Sequence, residues 1–297
     1  MKLTPEWISG FVDGGGSFNI PQPTQGKQLG FRFTCSQDKR SVDVLYALKK
    51  YFSCGTVQKA GGNTLEYVMY NPQHLQEKCI PFFTKYPLQT EKKHSFYKWA
   101  HSLQTYMVDR GEECARGALV AMQGPLHGKT VSFPPMALTG GCPLHAAAVD
   151  HQLSAGWFRG IVDAQGFFSV QPRGNTFQPR FVLGVHKDPQ LMDQVRLLIK
   201  CGSRSSGKDG LEMLRVSGLE DLEKKLFPFF ETRGSAVLLR TYKRIAFQKF
   251  RRIVRIVAEG RHLTPAGQER CRKLYLGMNK INEITEGAFH RSPDAHA

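Results

Sequence analysis

LTPEWISGFVDGGGSFNI, from Leu3 to Ile20, and LSAGWFRGIVDAQGFFSV, from Leu153 to Val170, are one phrase written twice, 150 residues apart. Each opens with Leu and then Thr or Ser, a residue whose hydroxyl can cap a helix start. Each sets Trp7 or Trp157 ahead of a short apolar helix, then reaches Val-Asp, a small residue, one variable residue, Gly and an aromatic-bearing extended run. Gly10 and Gly14, and Gly160 and Ala164, are small residues four apart. Residues at that spacing share a helix face, so the two helices can approach backbone to backbone.

The surroundings repeat as well. FRFTCSQDKRSVDVLYALKKYFSCGTV predicts a strand, a polar turn and a helix with Val42, Leu45, Leu48 and Phe52 on one face; FVLGVHKDPQLMDQVRLLIKCGSRS repeats it with Leu191, Val195, Leu198 and Ile199. Closing strands TLEYVMY and LEMLRVSG follow, then a short polar helix, then the matched phrases IPFFTKYPLQTEKK and LFPFFETRGSAVLL. Each copy ends in a basic, aromatic helix, HSFYKWAHSLQTYM from His94 and RTYKRIAFQKFRRIVRIV from Arg240. The unit is helix, two strands, helix, two strands, helix, used twice, which makes the fold class α+β. The expected boundaries are a first half at 1–108, a joining segment rich in Gly, Pro and Ala at 109–151, a second half at 152–286 and a tail at 287–297.

The two helix-to-strand segments resemble the paired motifs of single-chain LAGLIDADG homing endonucleases. The nine motif positions are Ile8, Ser9, Gly10, Phe11, Val12, Asp13, Gly14, Gly15 and Gly16 in the first copy. In the second they are Phe158, Arg159, Gly160, Ile161, Val162, Asp163, Ala164, Gln165 and Gly166. HLTPAGQERCRKLYLGMNK, from His262 to Lys280, is similar to the family's terminal helix. The resemblance implies two motif helices packed at a pseudo-twofold axis and two antiparallel sheets forming a saddle over nucleic acid. The strand segments interleave Arg32, Lys39, Arg40 and Lys59 in the first half with Arg173, Arg180, Lys187, Arg204 and Lys208 in the second. Alternate side chains of a strand face opposite sides, so one sheet face can be buried while the other meets phosphates and base edges. Lys243, Arg244, Lys249, Arg251 and Arg252 add a basic helix that suits a phosphate backbone outside the saddle.

In the family, an acidic residue at the eighth motif position of each copy holds the divalent ions that activate water. Those positions are Gly15 and Gln165, one without a ligand and one with a neutral oxygen. Asp13 and Asp163 are retained at the sixth position, which does not bind the metal in the family. Where the family often carries Lys in the loop after the last strand pair, this chain has Gln89 and Glu91 in one half and Arg233 and Ser235 in the other. The polar residue after the second strand is Gln37 in one half and His186 in the other. The expectation is therefore a binding scaffold that is not an enzyme, with no catalytic residue, metal or cofactor. An active DNA endonuclease with displaced metal ligands is the reading from a different class.

Composition narrows the partners. With 297 residues, 41% of them hydrophobic, the chain is long enough to bury a core, so disorder is not the main state. No run approaches the ~20 apolar residues of a membrane span, so no membrane is expected as partner. The start MKLTPEWISGFVDGG has no secretory pattern. Seven cysteines without paired spacing read as thiols in a reducing compartment. Lys and Arg number 41 against 25 Asp and Glu, a formal charge of +16, which favours a polyanion. LAGLIDADG-like proteins that have lost cleavage include splicing maturases and RNA-binding factors of organelles. The leading expectation is thus a monomer, internally pseudo-symmetric, that binds structured RNA in a mitochondrion or chloroplast. Ribosomal RNA, alongside ribosomal proteins, is the expected partner, and an intron maturase is the runner-up.

Overall fold

Thr4 and Ser154 start the two repeated helices by the same device. Thr4 Oγ1 accepts from the Trp7 amide at 3.4 Å and Ser154 Oγ from the Trp157 amide at 3.0 Å, pairing one of the amides orphaned at a helix start. The computed structural model describes residues 1–20, 30–123, 153–174, 176–207, 209–232 and 236–282, with 111–123 and 279–282 described by their backbone alone.

In the first half α1 (Pro5–Gly15) leads into β1 (Gly16–Asn19) and β2 (Arg32–Asp38). After α2 (Val42–Phe52) come β3 (Thr56–Gly61) and β4 (Thr64–Met69), the short α3 (Pro72–His74), a π-helical turn (Leu75–Cys79), α4 (Ile80–Lys85) and the long α5 (Lys92–Gln123). The second half repeats the order with α6 (Ala155–Gln165), β5 (Phe167–Arg173), β6 (Thr176–His186), α7 (Pro189–Ile199), β7 (Ser203–Ser206), β8 (Leu211–Val216) and α8 (Lys243–Ala258). A final helix, α9 (Pro265–Asn282), lies on α8, where Lys249 Nζ donates to the Gly277 carbonyl at 2.9 Å. Each half builds one four-stranded antiparallel sheet, ordered β1-β2-β4-β3 and β5-β6-β8-β7. The molecule is α+β with two matching halves.

Each sheet buries one face on its own helices, and the two halves keep separate aromatic cores. Phe18 lies among Phe33, Phe83, Phe96 and Trp99; Phe168 lies among Phe181, Phe230, Phe247 and Phe250. Rings in such offset and edge-on clusters bury much apolar area and set the sheet at a fixed height over the helices. On α2 the buried row is Val44, Leu45, Leu48 and Phe52, so Val44 takes the place expected for Val42 at the helix's first residue. On α7 the row is Leu191, Met192, Val195 and Ile199, with Leu198 partly buried.

The helix α5 runs on to Gln123, past the boundary expected at 108, through a stretch free of proline. The rest of the expected joining segment and the tail at 287–297 lie outside the described residues. Cys35, Cys54, Cys79, Cys201 and Cys271 are free thiols. Among the described residues no helix is long and apolar enough to cross a membrane.

Candidate nucleic-acid interface

The two sheets are placed by the packing of α1 on α6. A Cβ at Gly10 would overlap the carbonyl of Trp157, one at Gly160 the carbonyl of Trp7, and one at Gly14 the Cβ of Ala164. All four small residues singled out in the sequence therefore sit where the helices cross. The approach is set by backbone, not by side chains that could give way.

Indole crossovers tie the same helices. Trp7 Nε1 donates to Asp163 Oδ2 at 2.9 Å, and Trp157 Nε1 to Asp13 Oδ2 at 2.7 Å. Asp13 also accepts from the Gln89 amide at 2.8 Å, the Thr90 amide at 3.1 Å and the Thr90 hydroxyl at 2.6 Å. Asp163 accepts from the Arg240 amide at 2.9 Å, the Thr241 amide at 3.0 Å and the Thr241 hydroxyl at 2.6 Å. A carboxylate has about four acceptor sites, so both are saturated from within the protein. Burial pushes the two carboxyls above their ordinary range, and these hydrogen bonds pull in the other direction.

Two lysines close the arrangement. Lys92 Nζ donates to the Val12 carbonyl at 2.9 Å and Lys243 Nζ to the Val162 carbonyl at 3.2 Å, capping the last turns of α1 and α6. Burial lowers both ammonium groups, Lys243 to about 7, while the neighbouring Asp13 and Asp163 pull them back up. Sequence reasoning assigned Lys243 to a phosphate-binding helix face and missed Lys92. The signal was Thr-x-Lys at Thr90 to Lys92, repeated at Thr241 to Lys243.

At the helix ends a Cβ on Gly15 would sit 3.7 Å from the Ser36 carbonyl and 3.9 Å from Gln37 Nε2, so there is room for a side chain but none is present. Gln165 Nε2 donates to the Gly184 carbonyl at 2.7 Å. Among the described residues no group of three or more His, Cys, Asp or Glu is placed to hold a metal. With Asp13 and Asp163 saturated, the residues at these ends do not fit the carboxylate-held divalent ion that the resemblance implies.

Strand register sorts the expected cations. In the first half Phe33 pairs with Met69 and Cys35 with Tyr67 on the buried face. The open face carries Ser17, Asn19, Arg32, Thr34, Ser36, Asp38, Gln58 and Glu66, with Val68 buried among them. Lys59 pairs with Leu65 and falls on the other side. In the second half Phe168 pairs with Phe181, and the open face carries Ser169, Gln171, Arg173, Gln178, Arg180 and Arg215 together with Phe167, Val182, Leu211 and Met213. Arg204 pairs with Leu214 on the buried side's parity and is held by Asp193 at 3.2 Å and the Pro189 carbonyl at 3.1 Å.

Arg40 is engaged by Asp38 at 2.7 Å and lies 4.3 Å over the Tyr242 ring, and Arg251 pairs with Glu231. Lys39 and Lys187 are exposed in matching turns, their amides donating to the Asn63 and Gly210 carbonyls at 2.8 and 2.7 Å. Arg244 and Arg252 are exposed on α8, and Lys249 points into α9. Lys208, Arg233 and Ser235 lie outside the described residues.

A model of the LAGLIDADG endonuclease family matches residues 8–103 and 158–254. Probable intron-encoded endonuclease 3 of Neurospora crassa is 28% identical over 120 residues, which are 39% of this chain and 22% of that protein. Probable intron-encoded DNA endonuclease 1 of Mycosarcoma maydis is 32% identical over 91 residues, 31% of this chain and 34% of that protein. The chain thus spans about a quarter to a third of the length of these curated relatives. The solved structure of I-SmaMI bound to uncleaved DNA target in the presence of calcium ions superposes with a TM-score of 0.72, covering 94% of this chain and 99% of that one at 23% identity.

Two expectations are corrected by these findings. The expectation of structured RNA and ribosomal proteins as partners is not supported, because solved structures of this fold include I-SmaMI bound to DNA targets. A charge of +16 had no means of telling one polyanion from another. The expectation of a chain that is not an enzyme is overturned by relatives that are named endonucleases. It rested on two missing carboxylates, which bear on how a metal is held and not on the class to which the chain is kin.

Proposed function

The chain belongs to the LAGLIDADG endonuclease family, and from that premise we propose that it grips duplex DNA with its two sheets. The ends of α1 and α6 then face the middle of the target, where the scission named for its relatives would be exerted. The observation that carries this reading is the pair of open sheet faces, rich in polar side chains, set side by side by a backbone-to-backbone helix crossing. A major groove about 12 Å wide admits a two-stranded ribbon, so each sheet suits one half of a long target.

The proposed halves are 1–108 and 152–286, carried by one chain. The proposed groove contacts are Arg32 in the first and Arg173, Arg180 and Arg215 in the second, with Lys39 and Lys187 toward the centre. Kinship to intron-encoded endonucleases supports action in an organelle, mitochondrion or chloroplast, which fractionation of cells expressing the chain would test.

The deciding experiment passes the full chain over a pool of randomised duplexes and sequences what is retained, with a structured RNA of similar length as competitor. Retention of a defined duplex against the RNA is expected, with affinity falling as salt rises by about 0.9 log unit per log unit for each phosphate contacted. Preference for the RNA would overturn the reading. Incubating the retained duplex with Mg2+ or Mn2+ and mapping strand breaks asks directly whether binding is followed by cutting.

A further inference from the structure

The open faces of the two sheets share one arginine position, Arg32 and Arg180, and differ beyond it. On the first, Asp38 is taken up by Arg40, which leaves Glu66 as the acid beside Arg32, and Gln58 Nε2 donates to Glu66 Oε1 at 2.9 Å. That pair offers the groove acceptors: the second carboxylate oxygen and the amide oxygen of Gln58. On the second face Arg173, Arg180 and Arg215 stand without an acid among the described residues, and Arg180 Nη2 donates to Gln171 Oε1. That pair offers donors: the remaining guanidinium N–H groups and the Gln171 amide.

Arg180 and Arg215 act as a unit. Val182 pairs with Arg215, so Arg180 is the diagonal neighbour on the same face, roughly 7–8 Å away by sheet geometry. Two base steps along a strand cover about the same distance. Pairing of β6 with β8 begins at Phe181 and Val216, and next to it a cavity of about 450 Å3 opens beside both arginines over Phe177, Leu219 and Val257. Arg215 Nε is buried there without a hydrogen-bond partner. Gln171 holds the Arg180 guanidinium, so it is partly ordered before any target arrives.

We propose that the DNA target is chemically lopsided, with guanines one or two steps apart beneath the second sheet, read by Arg180 and Arg215, and a cytosine or adenine amino group beneath Glu66 in the first. A guanidinium matches guanine O6 and N7 as a two-pronged donor, and a carboxylate matches the cytosine amino group. The carboxylate also repels phosphate, so the first half-site is held by base edges more than by backbone. This inference rests on the duplex-binding reading above.

The test selects bound duplexes from a randomised pool with the full chain, then measures Kd for the selected duplex and for single-base replacements of it. Guanines are expected in one half-site. Arg180→Ala and Arg215→Ala should each weaken the selected duplex by about 5- to 150-fold while barely changing affinity for a duplex whose matching guanine is replaced. Glu66→Gln should change the preferred base at one position in the other half-site. Lys224→Ala, which removes an exposed cation paired with Glu220, controls for loss of charge alone. If the arginine variants weaken every duplex equally and lower the salt slope, the contacts are to phosphate and the proposal falls while DNA binding stands. If no duplex is selected, the proposal falls together with the DNA reading.

Discussion

The central seam and the two sheet faces have diverged to different degrees. At the seam the two halves use the same groups: Trp7 on Asp163 and Trp157 on Asp13 across it, and within each half Thr90 or Thr241 on the carboxylate and Lys92 or Lys243 on the helix end. On the open faces the halves share less: Arg32 and Arg180 hold the same register, but Val68, Glu66 and Asp38 stand where the other half carries Arg215, Met213 and His186. A seam between near-identical surfaces works only if each side supplies what the other lacks, as in a twofold dimer. The faces carry few groups that the other half has to match, so their chemistry can follow the target.

The largest expected effect breaks the seam. Gly10→Ala and Gly160→Ala each drive a methyl into the opposing backbone and should each cost at least about 3 kcal/mol, the upper end of overpacking penalties. Denaturant unfolding measures both, and markedly unequal losses would show that the seam is symmetric in geometry but not in energy. Next come Asp13→Asn and Asp163→Asn. Either turns an amide NH2 toward groups that are all donors, at about 3 kcal/mol each. A neutral outcome for one of them would mean that its ring of donors is looser than its twin's.

A further expectation is in pH. At Lys243 the folded state sheds its proton near 7 and the unfolded chain near 10.5, so across that window the unfolded state binds more protons and stability rises with pH. Lys92 is shifted in the same direction and contributes with the same sign. Urea midpoints taken from pH 7 to 10 should climb for the native protein and climb less for Lys243→Met. Identical slopes would remove the lysine from the seam's energetics.

The repeat was legible because fold and seam are written in small residues and in hydrophobic spacing, which a single chain displays directly. Gly10, Gly14, Gly160 and Ala164 declare a close crossing through their lack of bulk. The working face was less legible. Lys59 and Arg204 look like Arg32 and Arg180 in sequence, and only register, fixed by strand pairing, sends them to opposite sides. Arg40 is occupied by its sequence neighbour Asp38, and Arg251 by Glu231, which is 20 residues away in sequence but close in space. Lys92 was obscured because attention fell on Gln89 and Glu91, whereas aligning the halves residue by residue puts Lys92 opposite Lys243. Arg215 escaped notice because it follows an apolar stretch that reads as core.

The crossed indoles have a bearing on how such chains could be recombined. Neither half completes its own carboxylate: the tryptophan that satisfies Asp13 is encoded 144 residues downstream, and the one for Asp163 is 156 residues upstream. A half expressed alone would carry a buried charge short of one donor and an indole without an acceptor. Any other half bearing the same Trp, Gly and Asp in the same helical order would supply both. The seam is therefore a coupling of fixed gauge, and chimeras joining the reading face of one parent to that of another should assemble wherever that gauge is kept.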